Sequence, residues 1–277
     1  MEALGLGYHV LVEKPLSNTV ESCQRLIAAA SDRVVLMCAE NGQYWREVVE
    51  AKRLIDTGRI GEVLTVRAKF WESAHPKLNE WAAAGSYDAD AYCCTAAEGF
   101  VVDGGLHWIR PLRMWLGECS HVVCSAGRSI KQMRGPSMAQ ALLKFTSGIT
   151  AVFEGMLAPS AISDQPFFVI QGTEGEIVLD GFAGGGRIYT IGESGMEVAG
   201  INAGFDGPVG WDSGYVGELQ DFAAACLDGA ALKGTAWEAM ADLQVVLAMM
   251  NSAKTQRWEL VADLDPQLSM TSVGLTL

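Results

Sequence analysis

Near the start of the chain, Val10-Leu11-Val12 is an apolar run with no wet side. A strand that is apolar on both faces must be covered on both, as in a parallel sheet flanked by helices. The residues after it keep to that plan. Asn18 offers an N-cap and Glu21 its return partner, and Val20, Cys23, Leu26, Ile27 and Ala30 then fall on one helical face. A second buried run, Val34 to Ala39, closes a strand–helix–strand unit of the right-handed parallel kind. Residues 46–57 predict another helix ending at Gly58.

The pattern changes near residue 60. Leu64, Val66, Ala68 and Phe70 alternate with Thr65, Arg67 and Lys69, which predicts a strand with one wet face. "LLKFTSGITAVFEG" predicts a hairpin turning at Ser147-Gly148, and "FFVIQGTEGEIVLDG" another near Thr173 to Gly175. "RIYTIG" and "MEVAG" add short strands. Helices return with Leu219, Phe222, Cys226 and Leu227 on one face, and Thr235 to Glu238 form a capping box before a last long helix. The expectation is an α/β protein in two domains: residues 1–60, with a partial parallel sheet, and residues 61–277, an α+β domain around a large, mostly antiparallel open sheet. Two parallel strands cannot bury themselves. Residues 1–60 are therefore expected to be the C-terminal part of a larger, N-terminally truncated domain.

Composition narrows the partners. A net charge of −13 over 277 residues argues against nucleic acid or an anionic membrane, since both need a basic face. Seven cysteines lie scattered without zinc spacing, so reduced thiols and no metal site are expected. The N-terminus lacks a signal-peptide pattern and no apolar run reaches membrane-spanning length, so a cytoplasmic location is expected.

Ligands of open parallel sheets bind beyond the carboxyl ends of the strands. Lys14 follows the first strand and Glu40-Asn41 the second, so all three are expected on one rim. Lys14 is either a solvated loop lysine or one aimed by the stiff Pro15. The second group is "AEGFVVDGGLHWIRPLRMWLGE", residues 97–118. Asp103 and His107 are four apart, hence on one face if helical, and a carboxylate beside an imidazole suits a general base. Gly99, Gly104 and Gly105 each weaken a helix by about 1 kcal/mol, which is tolerated best where something approaches the backbone closely.

These stretches together resemble the Gfo/Idh/MocA oxidoreductases. "HVLVEKPLS" is similar to that family's EKP motif, and "GFVVDGGLHWIRPLRMWLGE" to its glycine-rich helix with D-x-x-x-H. "RLIDTGRIGEVLTVRA", "VIQGTEGEIVLDG" and "ELQDFAAACLDG" resemble its later elements. The resemblance implies a Rossmann-type first domain and an enzyme that uses NAD or NADP to oxidise a secondary alcohol of a sugar, polyol or related small molecule. It implies His107 as acid/base, Asp103 ordering it, and Lys14 contacting the substrate hydroxyl. It implies Glu13, Lys14, Pro15 and Asn41 beside the cofactor, and Lys14, Tyr44 and Arg110 beside the substrate. A homodimer or homotetramer through the C-terminal sheet is implied as well.

Three departures stand out. The G-x-G-x-x-G turn is absent from the sequence, and "GFAGGGRIY" leads into a strand, so it predicts a hairpin loop rather than a phosphate site. Cofactor binding by these 277 residues alone is therefore expected to be weak. Arg110 stands where aspartate is frequent in the family, and it either favours an anionic substrate or pairs with a carboxylate. Pro111 is expected to kink or break its helix. The long stretch from Ser73 to Gly99, with Trp81, Tyr87 and Tyr92, either covers the site and selects substrate or packs down on itself. Two alternatives to the dehydrogenase are a cofactor-less remnant or non-catalytic oligomerisation subunit, and a lyase or glycosidase acting through a transient ketone.

Overall fold

The computed structural model describes residues 1–30, 33–77, 99–130, 133–160, 166–263 and 265–268. A short helix α1 (Glu2–Gly5) precedes β1 (Val10–Glu13), α2 (Val20–Ala29) and β2 (Leu36–Ala39). β1 and β2 pair in parallel from Val10 opposite Leu36 to Glu13 opposite Ala39, so both release the chain at the same edge. The N-cap of α2 is Thr19, not the expected Asn18: the Thr19 hydroxyl accepts from Ser22 N–H at 3.0 Å, while Asn18 is exposed. A 3-10 turn (Asn41–Tyr44) leads into α3 (Arg46–Asp56), which stops as predicted where Gly58 takes a φ of +69°.

The remaining strands form one sheet. They are β3 (Val63–Ser73), β4 (Cys119–Gly127), β5 (Met138–Phe145), β6 (Thr150–Ala158), β7 (Phe168–Gly172), β8 (Gly175–Leu179), β9 (Gly186–Gly192), β10 (Gly195–Gly200) and β11 (Glu259–Leu260). Their order is β10-β9-β8-β7-β3-β6-β5-β4-β11, and only β3–β6 is a parallel pair. Both predicted hairpins are present, at Ser147-Gly148 and at Thr173-Glu174, and the glycines of "GFAGGGRIY" form the loop into β9.

Alternation decides which face is covered. Val66, Ala68 and Phe70 of β3, with Ala151, Phe153 and Leu157 of β6 and Leu143 and Phe145 of β5, are buried under helices. Those helices are α4 (Phe100–Asp103), α5 (Leu106–Leu116) and α7 (Ala236–Thr255), with α7 lying along β4. Leu64 departs from the predicted buried set and is 55% exposed, because a register shift between Val63 and Thr65 turns it outward. Only the Thr235 half of the expected capping box opens α7: its hydroxyl accepts from Glu238 N–H at 3.2 Å, while the Glu238 carboxylate turns to Arg110 and Arg113. Pro111 does not break α5, which runs unbroken to Leu116. The proline only leaves the His107 carbonyl without its i+4 donor.

α6 (Gly210–Asp228) packs on the 3-10 turn. Cys23, Cys38, Cys119, Cys124 and Cys226 are free thiols, and burial pushes Cys119 and Cys124 up to about 12, which keeps them unreactive. Among the described residues, no helix is long and apolar enough to cross a membrane.

Candidate active site at the carboxyl ends of β1 and β2

The parallel register places Lys14 and Glu40 as neighbours one residue beyond β1 and β2. Lys14 reaches across to α4. Its Nζ donates to the Asp103 carbonyl at 2.9 Å and forms an ion pair with the Asp103 carboxylate. The Lys14–Pro15 peptide is cis. In an unbroken helix the Asp103 carbonyl would accept from His107 N–H. Here His107 N–H turns instead to the Gly104 carbonyl at 3.3 Å, a tighter i−3 bond. The helix is interrupted between Asp103 and His107, at the point where the lysine docks.

That interruption corrects the expected pairing. Asp103 serves Lys14, and the partner of His107 is Glu40. His107 Nδ1 donates to Glu40 Oε1 at 2.6 Å, and the same oxygen accepts from Gly42 N–H at 2.9 Å. Both side chains are buried, His107 at 6% and Glu40 at 4% exposure. Burial pushes the Glu40 carboxyl up, but the His107 charge and hydrogen bond, the Gly42 N–H and Lys14 outweigh it, and Glu40 stays below the usual carboxylate range. Glu40 Oε2 is buried without a partner. Sequence reasoning put Glu40 on the rim as a cofactor or substrate neighbour but did not make it the partner of His107. Its offset from β2, identical to that of Lys14 from β1, was the available signal.

The glycines of α4–α5 meet protein rather than ligand. A Cβ on Gly104 would lie 2.1 Å from the Phe70 ring, and one on Gly105 would lie 2.2 Å from the Val101 carbonyl. They let the helices settle on β3, where Phe70 stacks on Trp108 at 3.9 Å. Trp211 stands edge-on to the His107 ring at 5.1 Å, with Trp45 and Phe182 completing an apolar wall. Gly42 must be glycine, since a Cβ there would come within 2.8 Å of the freed His107 carbonyl.

The other expected site residues divide. Asn41 is 3% exposed and its Oδ1 has no partner. Glu13 is exposed beside the rim, its carboxylate accepting from Lys14 N–H at 3.2 Å. Tyr44 and Arg110 are committed elsewhere, contrary to the substrate-contact expectation. The Tyr44 hydroxyl donates to Asp221 at 2.6 Å. The Arg110 guanidinium is buried, donating to Gln43 at 3.1 Å and pairing with Glu238 at 2.5 Å, so its charge is already answered by a carboxylate. Trp81, Tyr87 and Tyr92 lie outside the described residues.

Glu218, on α6, is a member of this region that the sequence did not single out. It is 4% exposed and its Oε2 is unpartnered. Burial first, and then the charges of Glu40 and Glu13, push it up to about 7.

Residues 48–178 match the sequence profile of the GFO/IDH/MocA C-terminal domain. A 1-carboxy-3-chloro-3,4-dihydroxycyclohexa-1,5-diene dehydrogenase from Comamonas testosteroni is 29% identical over 151 residues, covering 54% of this chain and 36% of that protein. A levoglucosan dehydrogenase from Pseudarthrobacter phenanthrenivorans is 26% identical over 200 residues, covering 63% of this chain and 50% of its own length. The chain thus spans half or less of these two relatives. An Agrobacterium radiobacter oxidoreductase solved with NAD+, L-tartaric acid and magnesium has the same fold, with a TM-score of 0.76 at 18% identity over 94% of this chain and 75% of that one.

Proposed function

The chain belongs to the Gfo/Idh/MocA family, and from its site we propose that it acts in the NAD(P)-dependent oxidation of a secondary alcohol of a sugar, polyol or related small molecule. The observation that carries this reading is the buried His107–Glu40 couple beside the Lys14–Asp103 ion pair on one rim. With Nδ1–H held by a carboxylate, His107 presents the lone pair of Nε2, the tautomer a general base needs. Lys14, fixed by Asp103, places positive charge where the alcohol oxygen becomes electron-rich as its proton leaves. Glu40 offsets the charge that His107 gains when it takes that proton. The apolar wall of Trp45, Phe182 and Trp211 keeps water from the imidazole and strengthens both couples.

Buried acceptors without partners test whether a nicotinamide fits. Asn41 Oδ1 and Glu40 Oε2 are two such acceptors at the rim, suited to the N–H donors of a carboxamide. Asn41, Glu13, Lys14 and Pro15 would lie along the group. When bound, it supplies the hydride acceptor.

A second reading is a non-catalytic oligomerisation subunit. It is favoured by the open face of the sheet, where Trp71 and Leu142 are exposed beside Met156 and the Arg67–Glu154 ion pair. Association through this face, as a homodimer or homotetramer, is compatible with either reading. A panel of polyols and sugars with NAD or NADP, followed by nicotinamide absorbance, tests the first. Turnover that His107→Asn and Lys14→Met both abolish supports it. Turnover indifferent to both substitutions sinks it. Ligand-free, inactive chain that sediments as a stable oligomer favours the second.

A further inference from the structure

The glycine-rich segment "GFAGGGRIY" is pinned to the start of α6. Trp211 N–H donates to the Phe182 carbonyl at 3.1 Å, and a Cβ on Gly210 would lie 2.1 Å from that same oxygen. α6 in turn lies tight on the 3-10 turn, where a Cβ on Gly214 would lie 2.9 Å from the Asn41 carbonyl and one on Gly217 would lie 2.8 Å from Tyr44 Cβ. These close approaches hold three aromatic rings in a corner beside the imidazole. Trp211 stands 5.1 Å from the His107 ring, and Phe182 lies 5.1 Å from Trp211 at 79°. Tyr215, one turn further along α6, lies 6.0 Å from Trp211 at 77°. Trp45 and Trp108 touch the same cluster and are 2% and 0% exposed, as packing aromatics are. The corner differs: Phe182 is 43% and Tyr215 44% exposed, and Trp211 is half-buried. Open aromatic faces beside a buried imidazole mark a ligand surface.

We propose that Phe182, Trp211 and Tyr215 are specificity-determining residues that stack the C–H face of a cyclic alcohol, such as a pyranose or a cyclitol. The proposal rests on the reading of His107 as the base and narrows its substrate to ring-shaped alcohols. A saturated ring of this kind carries C–H bonds on its faces and hydroxyls around its edge. Laid on an aromatic face it buries the first, and its hydroxyls project sideways, toward the His107 ring that Trp211 touches. An acyclic polyol has no such face and loses more conformational freedom on being held. The nicotinamide is assigned elsewhere. Its contacts, Asn41 and Glu13 to Pro15, come from the ends of β1 and β2, whereas the corner comes from α6 and the loop before β9.

Ligand-observed NMR of the whole chain tests this without turnover. Methyl glucoside and myo-inositol serve as cyclic probes, sorbitol as the acyclic one and nicotinamide mononucleotide as the cofactor probe. Wild type should transfer saturation to the ring C–H protons of a cyclic probe and bind it about 10-fold more tightly than sorbitol. Tyr215→Ala removes an exposed ring and Trp211→Leu a half-buried one. Each should weaken the cyclic probe about 3–10-fold and leave the nucleotide unchanged. If neither cyclic probe binds, or if sorbitol binds as well, the proposal is overturned, and neither result depends on a variant folding. It falls too if folded variants bind the cyclic probes as wild type does, or if they weaken the nucleotide instead, which gives the corner to the cofactor. Cyclic binding at the corner with no turnover by either nicotinamide cofactor counts against the proposed oxidation alone. Turnover indifferent to ring or open chain counts against the corner alone.

Discussion

Two buried charged clusters lie side by side in this molecule and are built on opposite principles. Between α5 and α7, Arg110 and Arg113 meet Glu238, Asp242 and Glu118. Arg113 pairs with Asp242 at 2.5 Å, Glu118 at 2.8 Å and Glu238 at 2.9 Å, and Arg110 with Glu238 at 2.5 Å. Both cations are answered, and only Arg113 Nε lacks a partner. At the rim, acids outnumber cations, and Glu40 Oε2, Asn41 Oδ1 and Glu218 Oε2 all remain unpartnered. Buried polar atoms are normally satisfied, so a closed network is framework and a cluster of open acceptors is a site waiting for donors. Charge and burial alone do not separate the two. The balance of partners does.

The largest effect expected is catalytic. His107→Asn should lower turnover by about 10²–10⁴-fold with little change in melting temperature, because it removes a proton acceptor from the open cluster. A variant that instead unfolds would erase the contrast with the closed one. Next, Arg113→Met should cost roughly 3–5 kcal/mol in a denaturant titration, since it strands the buried Asp242 carboxylate. Asp242 is already pushed up to about 6 by burial despite Arg113, so it has little capacity to remain charged alone. Gly104→Ala, which puts a methyl into the Phe70 ring without touching any charge, should cost about 1–3 kcal/mol.

The smallest effect is the most diagnostic. The Glu218 carboxyl sits at about 7 in the folded chain against an ordinary 4.5, so ionising it is harder folded than unfolded. Wild type therefore loses stability as pH rises from about 4.5 through about 7, and that loss persists above. Glu218→Gln has no such loss. Its stability relative to wild type should improve by about 1–2 kcal/mol between pH 5 and 8, after discounting for screening. A flat difference would place Glu218 in the closed class.

Much of this was legible in local pattern. The unalternating Val10-Leu11-Val12, the alternation in β3, the turn at Ser147-Gly148 and the Thr235–Glu238 cap are short-range signals, and each marked its element. The rim was legible because strand ends carry Lys14 and Glu40 at one offset. The partnerships were not. The Asp103–His107 spacing presumed an unbroken helix, and the helix is interrupted where Lys14, 89 residues away, docks on Asp103. Arg110 takes the second of its two expected roles, pairing with a carboxylate, but that partner, Glu238, lies 128 residues later and local pattern could not name it. Glu218 reaches the rim only through the close approach that Gly214 and Gly217 allow, which no periodicity announces.

The place of β3 in its sheet has a consequence during synthesis. Its neighbours are β6 and β7, and Thr65 pairs with Thr150, 85 residues further on. At about 5–20 residues per second, a ribosome needs roughly 4–17 s to deliver that first partner. Through that interval β3 has two unsatisfied edges, and its apolar face waits for α4 and α5 until Leu116 is made and for α7 longer still. The nascent chain is thus most prone to aggregate while its central strand waits, and a chaperone that shields this segment would act within that window.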